Sequence, residues 1–425
     1  MDLHTGQSLW TLLDAHRTAR APVAQPIHRS IRCEVLVVGS GVSGALTAFH
    51  LAEQGVDVVV VDRRDLATGS TTASTALIQY DIDTPLIKLR KKIGPHRANA
   101  VYRISRQSVA DTAQLVQRLQ IKCDLARRPS LFLAHSEKDL PMLKAECTAR
   151  RDIGIEVEFL TGPSLHKHFS IRRSGAILSH VAYQLDPWLF TRELLTAAQK
   201  LGARIFSGVK LLPIPGEHLL YQTADGHRIA ADHVVWATGY ETPQQFPEIK
   251  NVCRINSTYV IATRPTRRIW PQKALIWETG DPYLYARTAR GNRIIIGGLD
   301  EPFANPRKRD ALIPAKSQKL LRQFNRLFPI GDVQIETAWA GAFAQTEDGL
   351  PCIGQLPAYP GCHFALGYGG NGITFSMIAA QLIRDDILHR PTPAAHYFSF
   401  DRLFSGRAKL AASPKTRGPH AHLPL

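Results

Sequence analysis

A glycine-rich turn, residues 39–44 with the sequence Gly-Ser-Gly-Val-Ser-Gly, directly follows the short apolar run 35–38. That run is too short for a helix and is typical of a buried strand. Apolar residues then recur at helical spacing as far as Gly55, and a second apolar run, 58–61, ends in Asp62, which is placed to accept hydrogen bonds from a ribose. A strand, a glycine turn, a helix and a second strand in this order predict a dinucleotide-binding unit of the Rossmann type.

Each residue of the turn has a physical role in that prediction. Gly39 permits the tight turn, Gly41 lets the backbone approach a pyrophosphate, and Gly44 lets the helix pack closely on the strand. The first N–H groups of the helix, at Val42 and Ser43, have no partner within the helix and can donate to an anion. The alternative is a glycine turn that serves packing alone.

The length, composition and cysteine pattern of the chain argue against several classes of protein. A chain of 425 residues, 44% hydrophobic and 21% charged, is long enough for two domains with substantial cores. No apolar run reaches the length of a membrane span, and the first ten residues do not form a signal-peptide pattern. Six cysteines without a C-x-x-C pair indicate neither a zinc site nor a disulfide framework. We therefore expect no metal site and a reducing, cytoplasmic compartment.

The formal charge of +16 raises the possibility of a nucleic-acid partner. The lysines and arginines are spread along the chain, and the short clusters at 90–92, 264–268 and 307–309 have no interleaved aromatic residues. This pattern favours a basic, solvated surface. Nucleic-acid binding is therefore the less favoured interpretation.

Further elements follow the dinucleotide unit. Segment 69–78 has five hydroxyl side chains and can be a ligand-contacting loop or plain surface. One or two helices are predicted over 95–121, and Asp186-Pro187 is typical of an N-cap followed by a helix to about residue 201. A strand over 205–212 and a hairpin turning at Asp225-Gly226 come next, and the hairpin ends in Ala237-Thr238-Gly239.

The rest of the chain has a different pattern. Short alternating runs between residues 253 and 298 predict a second, antiparallel sheet. A helix is expected over 315–327, and a glycine-rich loop, 367–372, opens another helix over 373–388. The basic, proline- and histidine-containing residues beyond about 404 are expected to be disordered.

Four separated stretches, in this order, resemble the FAD-dependent oxidoreductases of the D-amino-acid oxidase superfamily, which includes glycine oxidase, sarcosine oxidase and γ-glutamylputrescine oxidoreductase-like enzymes. They are 35–63, the hydroxyl-rich 69–78, the strand ending at 237–239, and the pair 348–354 with 367–374. The resemblance covers the chain from about residue 33 to 390, and the order of the motifs is more specific than any one of them.

The resemblance implies an α/β plus α+β fold: a Rossmann-type, glutathione-reductase-like FAD-binding domain with a second, mostly antiparallel-sheet substrate domain. The implied FAD-binding domain is assembled from 33–85, 185–245 and 335–404. The substrate domain comprises 86–184 and 246–334, and 405–425 is the disordered tail.

The resemblance also implies which residues bind FAD. The glycine turn contacts the pyrophosphate, Asp62 the ribose, Arg63 the adenine surroundings, and Val209 the adenine through its backbone. Gly239 lets the chain pass close to the cofactor. The loop at the second helix places backbone donors at the flavin ring. The implied FAD-binding residues are Gly39, Gly41, Val42, Ser43, Gly44, Asp62, Arg63, Ser70, Thr71, Ser74, Val209, Gly239, Gly370, Asn371, Gly372, Ile373 and Thr374.

The implied reaction is dehydrogenation of a C–N bond in an amine or amino acid, with hydride transfer to the flavin and hydrolysis of the imine. Tyr283, Tyr285 and Arg287 alternate on one strand, so they share a face. The two phenols could pack an aliphatic amine and the guanidinium could clamp a carboxylate. The alternative is that the aromatic residues belong to the core and the arginine to a rim salt bridge.

Two features differ from the resembled enzymes. Several oxidases have a lysine near the flavin in the region that matches 279–298, and this stretch contains none. The electron acceptor is therefore O2 or a quinone or other carrier. Covalent attachment of FAD through a cysteine is known in the superfamily, and Cys352 and Cys362 are nearest by position. Nothing in the sequence around these two cysteines requires a covalent link, so we expect FAD to be bound non-covalently.

Three other functions stay open. An FAD aromatic hydroxylase usually has Gly-Asp-Ala late in the chain, whereas residues 348–351 are Asp-Gly-Leu-Pro. A tRNA- or RNA-directed FAD oxidoreductase of the same superfamily would suit the basic charge and would lose affinity steeply with salt. A non-enzymatic flavoprotein is the third alternative.

Overall fold

The computed structural model describes residues 3–14, 22, 24–281, 283–328 and 333–404, so the segment 405–425 predicted to be disordered lies outside the described residues. The helices, in chain order, are α1 Leu9–Asp14, α2 Val42–Ala52, α3 Leu86–Ile93, α4 Pro95–Arg118, α5 Leu140–Arg151, α6 Gly162–Phe169, α7 Pro187–Lys200, α8 Thr242–Gln245, α9 Pro306–Leu327, α10 Gly372–Ile387 and α11 Asp401–Phe404. The strands are β1 His4–Gly6, β2 Ile31–Val38, β3 Val58–Val61, β4 Leu77–Gln79, β5 Ala126–Leu133, β6 Val157–Thr161, β7 Gly175–Gln184, β8 Arg204–Phe206, β9 Leu211–Pro213, β10 Leu220–Thr223, β11 Arg228–Trp236, β12 Arg254–Thr263, β13 Leu275–Glu278, β14 Leu284–Ala289, β15 Arg293–Glu301, β16 Ile335–Gln345, β17 Cys352–Leu356 and β18 Tyr359–Leu366.

Eight strands form a sheet with the order β17-β18-β11-β2-β3-β8, in which β10 also pairs with β11 and β9 pairs with β10. The strands from β18 to β8 are parallel, with Val35 opposite Val58 and Val38 opposite Val61. All four valines of β3 are completely buried, as expected of a parallel strand covered on both faces. Helix α2 packs against both α7 and α10. This half of the fold is the predicted Rossmann-type unit.

The other ten strands form a second sheet with the order β1-β16-β12-β15-β14-β13-β5-β7-β4, in which β6 also pairs with β7. Its pairs are antiparallel except for β13 with β5. Helix α9 covers β12, β15 and β16 and buries Leu320 and Phe324 against them. The mostly antiparallel second sheet is thus confirmed.

Several local predictions are also confirmed. Helix α4 is one continuous helix, and the Asp186 side chain caps α7 by accepting from the N–H groups of Trp188 and Leu189, both at 3.1 Å.

The predicted strand over 205–212 is wrong, because Gly208 takes a positive φ of 71° and divides it into β8 and β9. Helix α9 begins at Pro306, earlier than predicted, and includes Pro314. No helix in the described part of the chain has the length and apolar character to span a membrane.

Candidate active site

A cavity of about 760 Å³ lies between the two sheets. Its wall includes the carboxyl ends of β2, β3 and β11 from the parallel sheet, and residues of β12, β14 and β16 from the antiparallel sheet. Ligands of parallel α/β sheets bind outside the carboxyl ends of the strands. The cavity is therefore the place where the fold would hold a dinucleotide and a second molecule together.

The glycine turn forms one part of this wall, and close packing requires its glycines. Gly39 has a φ of 107°, and a Cβ there would lie 2.7 Å from the carbonyl oxygen of Ala237. At Gly41 a Cβ would approach Thr71 Oγ1 to 3.2 Å, and both residues line the cavity. Gly44 does not line it, so its predicted cofactor contact is corrected to a packing role: its Cβ would lie 1.8 Å from Gly39 O.

The first turn of α2 also lines the cavity, but its groups have partners within the protein. The N–H of Val42 donates to Thr71 Oγ1 at 3.0 Å. The hydroxyl of Ser43 pairs with that of Ser376 at 2.7 Å. The positive end of the helix dipole still points toward this part of the cavity, which favours an anion there.

Asp62 lines the cavity directly beyond β3, and its carboxylate is held in place. Its Oδ2 accepts from the N–H and hydroxyl of Ser40, at 2.8 and 2.7 Å, and its Oδ1 accepts from the N–H of Arg64 at 2.9 Å. Arg63 and Arg64 both pair with Glu241. Burial opposes ionisation of Glu241, but the hydrogen bond and charge of Arg64 outweigh it and lower the pKa of that carboxyl.

Val209 and Gly239 line the same part of the cavity. The N–H of Val209 donates to the carbonyl of Asp62 at 2.8 Å. Because this N–H has a partner within the protein, the backbone group of Val209 that could bind a ligand is its carbonyl. Gly239 has a φ of 56°, and a Cβ there would meet no atom within 4 Å. We call the wall around Asp62, Arg63 and Val209 the adenosine end of the cavity.

The hydroxyl-rich segment is part of the cavity wall, and Ser70, Thr71 and Ser74 all line it. Three buried side chains hold its backbone by each donating to one of its carbonyl groups. Trp339 Nε1 donates to Ala73 O at 3.0 Å, Trp10 Nε1 to Ser74 O at 2.8 Å, and Arg287 Nη1 to Ala76 O at 2.8 Å. The hydroxyl groups are thereby presented to the cavity by a fixed backbone.

These contacts correct the prediction for Arg287. The residue is only 2% exposed, does not line the cavity, and also donates to Leu185 O at 2.9 Å. Its guanidinium lies 5.0 Å from the ring centre of Trp10, and burial lowers its pKa to about 9. Arg287 alternates with Tyr285 along β14, as predicted. Beyond Tyr285, however, the backbone at Ala76 and Leu185 covers the face of β14 on which Arg287 lies. Arg287 supports the cavity wall and does not clamp a carboxylate.

The loop before α10 supplies another part of the wall through Gly370, Asn371, Gly372 and Ile373. The Asn371 amide donates to the carbonyl of Asp81 at 2.8 Å and fixes the loop to the segment after β4. The first N–H groups of a helix of 16 residues thus open toward the cavity.

Thr374 does not face the cavity. It is 1% exposed, and its hydroxyl donates to the carbonyl of Gln79 at 3.0 Å. The predicted cofactor contact of Thr374 is therefore corrected to a link between α10 and β4.

Tyr283 and Tyr285 both line the cavity, with ring centres 5.9 Å apart and an angle of 36° between the rings. Tyr285 lies over its cross-strand partner Gly297, where a Cβ would come within 2.3 Å of the phenol. Burial raises the pKa of both phenols, so they stay protonated at neutral pH.

Two acidic residues after β4 were missed by the sequence reasoning. Asp83 lines the cavity, and Asp81 forms a completely buried ion pair with Arg150 of α5. Arg150 also pairs with Glu146 at 2.7 Å, and Glu146 accepts from the N–H groups at the start of α3. The position of Asp83 shortly after β4, which follows the hydroxyl-rich segment, is a sequence signal that could have been used. The distant pairing with Arg150 has no local signal.

No group of three or more metal-ligating side chains is assembled within the described ranges of the chain. The cavity instead fits FAD: two helix N-termini open into it, the glycine turn has no room for side chains, and the wall extends from one sheet to the other.

Comparisons with known proteins agree with this geometry. γ-Glutamylputrescine oxidoreductase of Escherichia coli (strain K12) is 26% identical over 369 residues, covering 84% of this chain and 84% of that protein. Glycine oxidase of Geobacillus kaustophilus (strain HTA426) is 25% identical over 379 residues, covering 85% and 94%. The crystal structure of L-proline dehydrogenase from P. horikoshii shares the fold, with a TM-score of 0.76, 18% identity, and coverage of 89% and 99%.

The family described as FAD dependent oxidoreductase (DAO) has a sequence model that matches residues 34–385. This match includes the glycine turn, the loop before α10 and every strand of the two sheets except β1 and the first residues of β2. The predicted resemblance is confirmed. The chain belongs to the DAO family of FAD-dependent oxidoreductases.

Proposed function

We propose that this protein dehydrogenates a C–N bond of an amine or amino acid and that water then hydrolyses the imine product. Bound FAD would supply the hydride acceptor, which no amino-acid side chain can provide. The names of the similar proteins, γ-glutamylputrescine oxidoreductase and glycine oxidase, support an amine or amino-acid substrate. The observation that carries the proposal is a single cavity that has a nucleotide-type wall at one end and two tyrosines at the other.

The predicted division into domains is retained as part of this proposal. All strands of the first sheet come from 31–61, 204–236 and 352–366, and apart from residues 31 and 32 these ranges lie within the segments assigned to the FAD-binding domain. Seven strands of the antiparallel sheet, β5 to β7 and β12 to β15, lie within 86–184 and 246–334, the segments of the proposed substrate domain. β4 and β16 belong to this second sheet, although the proposed boundaries at 85 and 335 place them in the FAD-binding domain.

The adenosine end would hold the nucleotide half of FAD through Asp62, Arg63 and the carbonyl of Val209. The glycine turn and the hydroxyls of Ser70 and Thr71 would hold the pyrophosphate, where the dipole of α2 favours negative charge. Each of these groups lines the cavity and is fixed by internal contacts. A preformed site of this kind loses little entropy on binding.

The loop before α10 would hold the ring system. Its first helical N–H groups, at Gly372 and Ile373, and the positive helix end favour negative charge in front of them. Ser74 lies on the opposite, hydroxyl-rich segment of the wall. The protein thereby orients the reacting parts, excludes water and stabilises charge, and the oxidation itself needs no dedicated side chain.

We further propose that FAD is bound without a covalent link. Cys352 and Cys362 are both completely buried and do not line the cavity. Burial raises the pKa of each thiol to about 11, which makes it a poor nucleophile. The electron acceptor is proposed to be O2 or a quinone or other carrier, and a cytoplasmic location is proposed from the cysteine usage.

The test starts with the visible absorption spectrum of the purified protein, with FAD added if none is bound. Anaerobic mixing with primary amines, secondary amines and D-amino acids should bleach the oxidised spectrum with at least one of them. Admitting air then separates an oxidase, which regains colour at once, from a dehydrogenase, which needs another acceptor. A protein that takes up no FAD, or one whose flavin no amine or amino acid bleaches, would refute the proposal.

A further inference from the structure

A second part of the cavity wall is formed by Asp83, Tyr283, Tyr285, Gly369 and Gly370, and we call it the tyrosine end. Asp83 Oδ2 accepts from the N–H of Gly370 at 2.8 Å. A Cβ at Gly369 would lie 2.4 Å from Oδ2, and one at Gly370 would lie 2.8 Å from Oδ1. The two glycines therefore pack directly on the carboxylate and fix its position in the wall.

The second oxygen of this carboxylate is left for a ligand. The side chain of Asp83 is exposed, and it lines the cavity. Its accessible surface therefore faces the cavity. No hydrogen-bond donor and no basic side chain of the described residues contacts its Oδ1. Desolvation within the cavity raises the pKa of this carboxyl, and the bond from Gly370 opposes that rise. A cation beside Oδ1 would stabilise the ionised form.

The basic residues of the cavity wall lie elsewhere. Among the described residues, the arginines and lysines that line the cavity are Arg63, Arg64 and Lys210. The two arginines pair with Glu241. Lys210 follows Val209, whose N–H donates to the carbonyl of Asp62 directly after β3. All three therefore belong to the adenosine end.

A second acid increases the negative character of the tyrosine end. Asp300 interacts with Tyr283, and the charge of Asp83 adds to the rise in the pKa of Asp300. Lys316, whose charge opposes the rise in the pKa of Asp300, donates to the carbonyl of Leu299 at 2.8 Å and pairs with Glu301. Its charge is thus shared with a closer carboxylate.

We infer that Asp83, with the rings of Tyr283 and Tyr285, forms a binding subsite for an ammonium group, so that the preferred substrate is an aliphatic amine with a second positive charge and without a carboxylate beside the reacting carbon. This inference rests on the proposed function and names its substrate class. A fixed carboxylate oxygen gives a charge-assisted hydrogen bond. Two tilted phenol rings add attraction for a cation over their faces.

The same geometry disfavours simple α-amino acids. A substrate carboxylate would need a cation at this end to offset the charge of Asp83, and Arg287, which alternates with the two tyrosines, is buried under Ala76 and Leu185. The phenols of Tyr283 and Tyr285 could donate to a carboxylate placed here, but the like charge of Asp83 would repel it, and no lysine or arginine of the described residues lines this end to offset that repulsion.

The test uses the FAD-loaded enzyme and a matched set of ligands: diaminobutane, butylamine and ornithine, together with their homologues that are one carbon longer. Binding is measured by the change in the flavin spectrum, and reduction by anaerobic bleaching. We expect the diamine to bind about tenfold or more tightly than the monoamine of equal length and more tightly than the amino acid. Equal binding of the monoamine, or tighter binding of the amino acid, would overturn the inference.

Asp83→Asn is the informative variant, because its amide oxygen can still accept from Gly370 while the charge is lost. It should bind FAD normally, lose most of the preference for the diamine, and bind the monoamine unchanged. Asp225→Asn, in the exposed turn between β10 and β11, makes the same charge change outside the cavity and should keep the full preference. An Asp83→Asn enzyme that keeps the preference would refute the ammonium subsite.

The two proposals fail in different ways. If amino acids bleach the flavin and Asp83→Asn changes nothing, the proposed function stands and the ammonium subsite is refuted. If no amine or amino acid bleaches the flavin but diamines still bind through Asp83, the proposed oxidation fails and the subsite stands.

Discussion

Gly44 shows how the absence of one atom determines whether a nucleotide site can form. A Cβ at Gly44 would lie 1.8 Å from the carbonyl oxygen of Gly39, and Gly39 is held by its φ of 107° and by donation from its N–H to Val61 O at 2.8 Å. Gly44→Ala should destabilise the protein by about 1–3 kcal/mol or more and weaken FAD binding, because α2 must move away from the turn. Thermal unfolding and FAD titration measure both effects.

Gly69→Ala is the matched control for this prediction. Its Cβ would meet only Leu3 Cδ1, at the ordinary contact distance of 3.7 Å, and its φ is −75°. The melting temperature of this variant should stay at the wild-type value. Equal melting temperatures for Gly44→Ala and the wild type would contradict the packing role.

Asp300 predicts a pH dependence of stability. Burial raises its pKa from 3.8 to about 6, while Thr258, Tyr283 and Lys316 oppose that rise and Asp83 adds to it. Since the unfolded chain ionises at the lower pKa, the protein loses stability as pH rises from about 4 to about 6, by up to about 3 kcal/mol. Asp300→Asn should remove this loss. Urea unfolding at pH 4.5 and pH 7, as chosen conditions, tests it; equal pH slopes in variant and wild type would contradict it.

At the scale of elements, the buried pair of Arg150 and Asp81 joins α5 to the segment after β4. Arg150 also binds Glu146, whose carboxylate caps the start of α3. Arg150→Met should cost about 3–5 kcal/mol, because it leaves two buried carboxylates without a cation. Arg151→Met, at the exposed neighbouring position, should cost far less. Chemical denaturation of both variants measures the difference, and similar costs would contradict a role for the ion pair.

The elements that could be predicted from sequence are those with a local signal. The glycine turn, the capped start of α7 at Asp186 and the hairpin at Asp225-Gly226 each follow from residues that are neighbours in the chain. The break between β8 and β9 was missed because Gly208 was not distinguished from an ordinary strand glycine. The structure shows its positive φ of 71°.

The parts of the site that sequence could not predict depend on contacts between distant segments. Arg287 has the alternation of a pocket residue, but Ala76 and Leu185 cover it, and neither is near it in sequence. Thr374 likewise turns toward Gln79 instead of the cavity. Period-two alternation predicts which face a residue occupies, and only the tertiary structure shows what covers that face.

At the scale of the whole molecule, the cavity is shared by the two sheets, so ligand binding should stabilise both. FAD that binds only the folded protein adds about 2.7 kcal/mol at a free concentration 100 times its Kd. The melting temperature of FAD-depleted protein should therefore rise with FAD concentration, with both sheets unfolding in one transition. ADP, which can occupy only the adenosine end and the glycine turn, should give a smaller rise because it leaves the tyrosine end and the loop before α10 without contacts. Differential scanning calorimetry measures both. If ADP stabilised the protein as much as FAD does, the wall formed by the antiparallel sheet and the loop at Gly370 would not take part in holding the cofactor.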